Sequence, residues 1–173
     1  MTSMSTPGGD ALHPLVRSIL AETPICIDAH HVVVPDADPV VPGHLLLLSR
    51  TPLHSLAAGN PQRLELFLKQ TFALTCAAPY LVLEHGHAGF CSSFGAFVHA
   101  HAHLVPCDSV ESVTFPSSRV LHFNTLAQAL EAVAPGTEYL LWGESSGPAS
   151  LILQPSLPKG AIRNELNRQK KAL

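Results

Sequence analysis

Residues 99 to 103 read His-Ala-His-Ala-His, followed by Leu104, Val105 and Pro106. A β-strand sends successive side chains to opposite faces. His99, His101 and His103 therefore share one face, and Ala100, Ala102 and Leu104 share the other. A helix would scatter the same rings around its circumference. Two chemistries want imidazoles side by side. In the first, one ring is a nucleophile toward phosphorus. Imidazole titrates near 6.5, so it is mostly neutral and nucleophilic at pH 7. Neighbouring rings disfavour each other's protonation, and protonated flanking rings hydrogen-bond to phosphate oxygens and to a leaving group. In the second, His-x-His with a further histidine forms a zinc ligand set. The spacing by itself leaves both open.

The rest of the chain must position these rings. Leu12, Leu15, Val16, Ile19 and Leu20, behind a possible N-cap at Asp10, predict an amphipathic helix that Pro24 stops. Residues 25–27 and 31–34 predict strands hinged at Asp28-Ala29, and the leucine run of 44–49 predicts a strand buried on both faces. Between them, Pro35 to Gly43 is a loop by composition. Asn60 and Pro61 open a helix reaching about Ala78, with Leu64, Phe67, Leu68, Phe72 and Cys76 along one side. Residues 81–84 predict a strand, and the Gly- and Ser-rich 85–97 a loop before the histidine strand. Beyond Pro106 the pattern predicts a strand at 120–123, a helix at 125–133 capped by Asn124 or Thr125, a hairpin from 139–142 and 150–153, and a last helix at 159–170. Strands alternating with helices point to an α+β fold around a mostly antiparallel sheet. Residues 1–9 read as a flexible lead-in and 10–173 as one domain, with an extension after about 107.

Composition narrows the function classes. The net charge is −3 with no long basic run, so a nucleic acid polymer is not the expected partner. The longest pure apolar run, Leu45–Leu48, is too short to cross a membrane. Cys26, Cys76, Cys91 and Cys107 form no C-x-x-C pair, so free thiols in a reducing compartment are expected. The first residues lack the basic and apolar regions of a signal peptide. The expectation is a soluble, cytoplasmic protein.

Two stretches together resemble the histidine triad family of nucleotide hydrolases and transferases. That family's signature, His-φ-His-φ-His-φ-φ with φ apolar, is matched by His99-Ala100-His101-Ala102-His103-Leu104-Val105. An upstream Asp-x-x-Pro-x-x-Pro-Gly-His-φ-φ-φ-φ stretch is matched over Asp36 to Leu48, with Ser49 where the family has proline. His54, the helix from Asn60 and the Leu83-Glu84-His85-Gly86 segment follow in family order, so the likeness spans roughly residues 24 to 106. It implies an α+β fold with a twisted antiparallel sheet of about five strands and packed helices, a homodimer, and no cofactor or metal. It implies that His101 attacks a nucleotide's α-phosphorus to form a nucleotidyl-imidazole intermediate, released to water or to an acceptor. His99 would orient His101, His103 would contact phosphate or leaving group, and His44 would support them. Asp36, with Asp38 as fallback, would accept the ribose hydroxyls, which suits a carboxylate.

The chain departs from the family where Gln and Ser or Thr usually precede the triad: Gly95 and Ala96 stand there. Their backbone N–H groups, with Ser92 or Ser93, are the expected substitutes. Glu84 occupies a position where many members carry asparagine. A carboxylate repels phosphate, so Glu84 is expected to bond elsewhere, to His85 or the loop. Two other function classes remain: a metal-dependent hydrolase with ligands among His99, His101, His103 and His44, and a nucleotide-binding regulator without catalysis. Lys159 and Arg163 read as a solvated basic helix face, with phosphate contact as the lesser alternative.

Overall fold

Four consecutive leucines, Leu45 to Leu48, sit in the interior of a sheet with apolar material on both sides. In the computed structural model, which describes residues 24–75, 79–86, 99–109, 112–117, 119–158 and 160–170, this is β3 (Leu45–Ser49). β1 (Cys26–Ile27) and β2 (His31–Pro35) form a short antiparallel hairpin. Its turn is fixed by Asp28, whose Oδ1 accepts from the N–H groups of His30 (2.7 Å) and His31 (2.5 Å). β4 (Tyr80–Gly86), β5 (His101–Pro106), β6 (Leu121–Phe123), β7 (Tyr139–Glu144) and β8 (Ala149–Leu153) complete one sheet, in the order β1-β2-β3-β5-β4-β7-β8-β6. Every pairing in it is antiparallel.

Three helices are described: α1 (Pro61–Thr75), α2 (Leu126–Glu131) and α3 (Ala161–Gln169). Their starts follow local chemistry. Asn60 Oδ1 accepts from the Arg63 N–H at 2.9 Å, and Thr125 Oγ1 from the Gln128 N–H at 3.2 Å, each satisfying an otherwise orphaned first-turn donor. Residues Leu64, Phe67 and Leu68 of α1 and Leu126, Ala129 and Leu130 of α2 pack with Val33, Leu45, Leu47, Val82, Ala100, Ala102 and Leu104 on one face of the sheet. On the other face, Ile162 and Leu166 of α3 join Leu83, Val105, Leu140 and Ile152. Val32, Val34, Leu46 and Leu48 form a separate buried group beside them.

This architecture overturns the expected fold class. The sheet has eight strands rather than about five, and the chain is mostly sheet with three short helices rather than a small sheet with packed helices. The physical reason is the seven-residue edge of β4. Residues 81–86 of it pair with residues 139–144 of β7, and β8 and β6 then continue the ladder, so the C-terminal strands lengthen the same sheet. Each added strand satisfies a row of backbone donors and acceptors that the previous edge leaves open. The predicted N-terminal helix over residues 10–23 lies outside the described residues. Among the described residues, no helix is long and apolar enough to cross a membrane.

Candidate functional site

Alternation along β5 separates its side chains as the sequence implied. Ala100, Ala102 and Leu104 are buried in the core on the α1–α2 face, and Val105 belongs to the cluster on the opposite face, the side to which alternation also assigns His101 and His103. The His101 and His103 rings lie 6.1 Å apart, edge to face. His99 stands just before the strand, buried at 3% exposure. Ser49 N–H bonds the carbonyl of Ala100 (2.8 Å), extending the β3–β5 pairing to that point.

Hydrogen bonds fix which nitrogen carries the proton on three rings. His99 Nδ1 lies 2.9 Å from the carbonyl oxygen of Ser49. A carbonyl only accepts, so Nδ1 donates, and in the neutral ring the lone pair then lies on Nε2. On His44, the N–H of Val40 donates to Nδ1 at 3.1 Å, which requires the proton on Nε2. That Nε2–H lies 3.0 Å from His103 Nδ1, which must therefore accept, so His103 carries its own proton on Nε2. Burial first, and then neighbouring His103, push His44 down to about 4. Burial likewise pushes His103 down. Both rings are therefore neutral at pH 7, as this pattern requires. His101 stands in sequence between an acceptor ring and a donor ring.

The turn that delivers His44 depends on one glycine. Gly43 has φ +77°, a left-handed conformation open to glycine and strained for other residues, and it lets His44 N–H reach the Val41 carbonyl (3.2 Å) while Asp36 N–H bonds the His44 carbonyl (3.0 Å). Asp36 thereby lies beside His44, with Oδ2 3.4 Å from Nε2 of His44 and 3.7 Å from Nδ1 of His103. Its side chain is 3% exposed. Arg163, on α3, reaches across and donates Nη2 to both carboxylate oxygens, at 3.0 and 2.7 Å. Burial alone would raise the Asp36 carboxyl. The Asp38 N–H and the Arg163 guanidinium outweigh that and hold it well below the usual carboxylate range; the neutral His103 ring, whose Nδ1 accepts from His44, does not donate to it.

The expected site residues thus divide. His101, His103 and His44 come together, with His99 bonded to the adjoining end of β3. Asp36 joins them but faces inward, its oxygens engaged by Arg163, the Asp38 N–H and His44, so it does not present an open acceptor for a ribose. Asp38, the fallback, is exposed, and its carbonyl accepts from Arg163 Nη1 at 2.6 Å. Ser92, Ser93, Gly95, Ala96 and Lys159 lie outside the described residues. Arg163 is the residue the motifs did not single out. Its only sequence signal was an i, i+4 basic pair near the start of the last helix.

Glu84 is on the other side of the sheet, as its pairing with Leu141 requires. Its Oε1 accepts from the Leu56 N–H (2.7 Å) and its Oε2 from the Tyr139 hydroxyl (2.5 Å). It therefore anchors the short 3₁₀ turn Leu56–Ala58 rather than bonding His85, which pairs with Glu138 at 2.8 Å. A groove of about 380 Å³ lined by Ser55, Ala57, Ala58 and Val133 to Gly136 lies on this far side, and no expected site residue lines it.

Burial pushes Glu84 up from 4.5 to about 7, against the pull of its two donors. The folded state thus holds this proton more tightly than the unfolded chain. The stabilisation is complete below about pH 4.5 and is lost as pH rises through about 7. Glu84→Gln removes the titration. Urea unfolding of both proteins should show wild type losing about 3 kcal/mol relative to the variant between pH 4.5 and 8. A constant difference across that range would contradict the burial argument.

Asp36, His44 and His103 are the described group whose ligand atoms lie close enough, within 4.8 Å of one another, to hold a metal ion. The donor chemistry fits poorly. With Val40 N–H occupying Nδ1, a neutral His44 has its proton on Nε2, the nitrogen that would have to bind the metal. The chain matches no protein-family model and no curated protein.

Proposed function

We propose that the protein hydrolyses or transfers a nucleotidyl group through a covalent intermediate on His101. The observation that carries this reading is the ring beside His101: His103, 6.1 Å away, accepts from His44 at Nδ1 and so offers a donor at Nε2, while a neutral His99 bonded through Nδ1 to the Ser49 carbonyl would offer an acceptor at Nε2. A ring nitrogen of His101 attacks the α-phosphorus. The P–N bond forms, the P–O or P–N bond to the leaving group breaks, and that group departs with the electron pair. The His101 ring becomes positive, and its other N–H is stabilised by donating to the acceptor ring of His99. His103 Nε2–H donates to a phosphoryl oxygen as negative charge shifts, a fixed dipole that needs no reorganisation. Water or an acceptor phosphate then attacks phosphorus, breaks the P–N bond and returns His101 neutral. The resemblance to the histidine triad signature supports the same reading.

The test is turnover against phosphoramidates, dinucleoside polyphosphates and nucleotide sugars. Cleavage at the α-phosphorus of at least one class is the expected result. Micromolar binding with no turnover across all of them would favour the regulator instead. A metal-dependent hydrolase is the second reading, favoured by the compactness of the Asp36, His44 and His103 group. The tautomer of His44 speaks against it, so full activity is expected to survive prolonged chelation, with substoichiometric zinc and iron in the purified protein. Activity lost on chelation and regained with one metal would reverse that choice.

A further inference from the structure

We infer that Arg163, on a helix outside the stretch that resembles the triad family, is a positioning residue that keeps His103 Nδ1 unprotonated, so that this nitrogen accepts from His44. α3 is seated by Ile162 and Leu166, which are buried among Leu83, Val105, Leu140 and Ile152 on the histidine face. Arg163, next to Ile162, extends over the loop between β2 and β3. Nη2 takes both oxygens of Asp36, and Nη1 takes the carbonyl of Asp38 at 2.6 Å and its carboxylate at 3.4 Å. Only the Asp36 end is sheltered: its side chain is 3% exposed, against 93% for Asp38.

Asp36 Oδ2 lies within 3.4 Å of His44 Nε2 and 3.7 Å of His103 Nδ1. A sheltered carboxylate without its cation takes up a proton or draws one onto a neighbouring ring. The ring open to that proton is His103, because the Val40 N–H on Nδ1 keeps the His44 proton on Nε2. A proton on His103 Nδ1 turns that nitrogen into a donor toward Asp36 and removes the acceptor of His44 Nε2–H. With Arg163 in place, the guanidinium neutralises Asp36, and His103 keeps the arrangement in which Nδ1 accepts and Nε2 donates. The charged and titratable groups facing His103 are Asp36 and His44 from the β2–β3 segment, His101 from its own strand, and Arg163 from α3. β4 contributes Leu83 opposite it.

The experiment uses the full chain labelled with ¹⁵N-histidine, in wild type, Arg163→Gln and Arg163→Lys, with thermal melts recorded alongside. In wild type at neutral pH, the His103 Nδ1 resonance should fall in the unprotonated range and Nε2 in the protonated range. Arg163→Gln should move Nδ1 toward the protonated range, and Arg163→Lys should move it less. A protonated Nδ1 in wild type, or an unchanged pattern in folded Arg163→Gln, overturns the inference. Should Arg163→Gln fail to fold, the wild-type and lysine spectra still decide it. The kinetic arm alone rests on the nucleotidyl-transfer reading. There kcat should fall about tenfold in Arg163→Gln with KM little changed, the signature of lost orientation rather than lost binding. No turnover in any variant, with the resonance shift intact, would count against that reading and leave the role of Arg163 standing.

Discussion

His101→Ala should lower turnover by at least about 10³-fold while nucleotide binding stays measurable, because the variant removes the group that forms a bond to phosphorus and little that holds the substrate. The substitution is structurally mild. His101 is partly exposed at the start of β5, its backbone pairs with Leu48, and the core contacts of that strand come from Ala100, Ala102 and Leu104 on the other face. A melting temperature close to wild type is therefore expected with activity gone. His101→Asn should behave the same way, since an amide nitrogen has no lone pair for phosphorus. His103→Ala should be less severe, by roughly 10²-fold, because a donor rather than a nucleophile is lost. Isothermal titration with a nonhydrolysable nucleotide, run beside steady-state kinetics, separates the two effects. Full activity in folded His101→Ala would remove the nucleophile from the account.

The largest stability effect is expected far from the histidines, at Gly86→Ala. A Cβ there would lie 2.2 Å from Cζ and 2.3 Å from Cε1 of Tyr139, which pairs with Gly86 across β4 and β7. Tyr139 is fully buried among its neighbours and has no flexible end to give way. Moving its ring breaks the hydroxyl's bonds to Glu84 and to the Ala57 N–H, leaving a buried carboxyl partly unsatisfied. Overpacking costs about 1–3 kcal/mol, and the orphaned polar group adds about 1–3 more. A loss of about 3–5 kcal/mol in chemical denaturation is the expected outcome. Gly86→Ala combined with Tyr139→Phe, which removes the hydroxyl but keeps the ring, should recover little, because the clash is with ring carbons. A change under about 1 kcal/mol for Gly86→Ala would show that the β4–β7 contact is looser than described.

The features legible in the sequence were those set by local chemistry. The period of two gave the faces of β5 from residue 101 onward, although His99 stands before the strand expected to include it; the leucine run gave a strand buried on both sides, and Asn60 and Thr125 marked helix starts that their side chains cap. The Pro42-Gly43-His44 turn brought His44 to His103, as the resemblance implied. The strand count was not legible. The segments that became β6, β7 and β8 were each readable as strands, but the pairing of residues 81–86 with 139–144 is a contact between distant stretches that no local pattern encodes. The expectation of about five strands came from the resemblance, which ended near residue 106. Asp36 shows the same limit. A loop carboxylate before a Pro-Gly-His turn suits a ribose, and only the packing of α3 reveals that Arg163 claims it first. Glu84 was expected to bond His85 or the loop after it, and its actual partners, Leu56 and Tyr139, lay beyond reach of the local sequence.

The central claim is that His101 bonds to phosphorus between an acceptor ring and a donor ring. Rapid alkaline quenching of the protein during turnover, followed by peptide mass spectrometry, tests it most directly. The account predicts a nucleotidyl adduct on His101, absent from His101→Ala. Steady turnover with no adduct at that residue, or an adduct on another histidine that survives in His101→Ala, would contradict it.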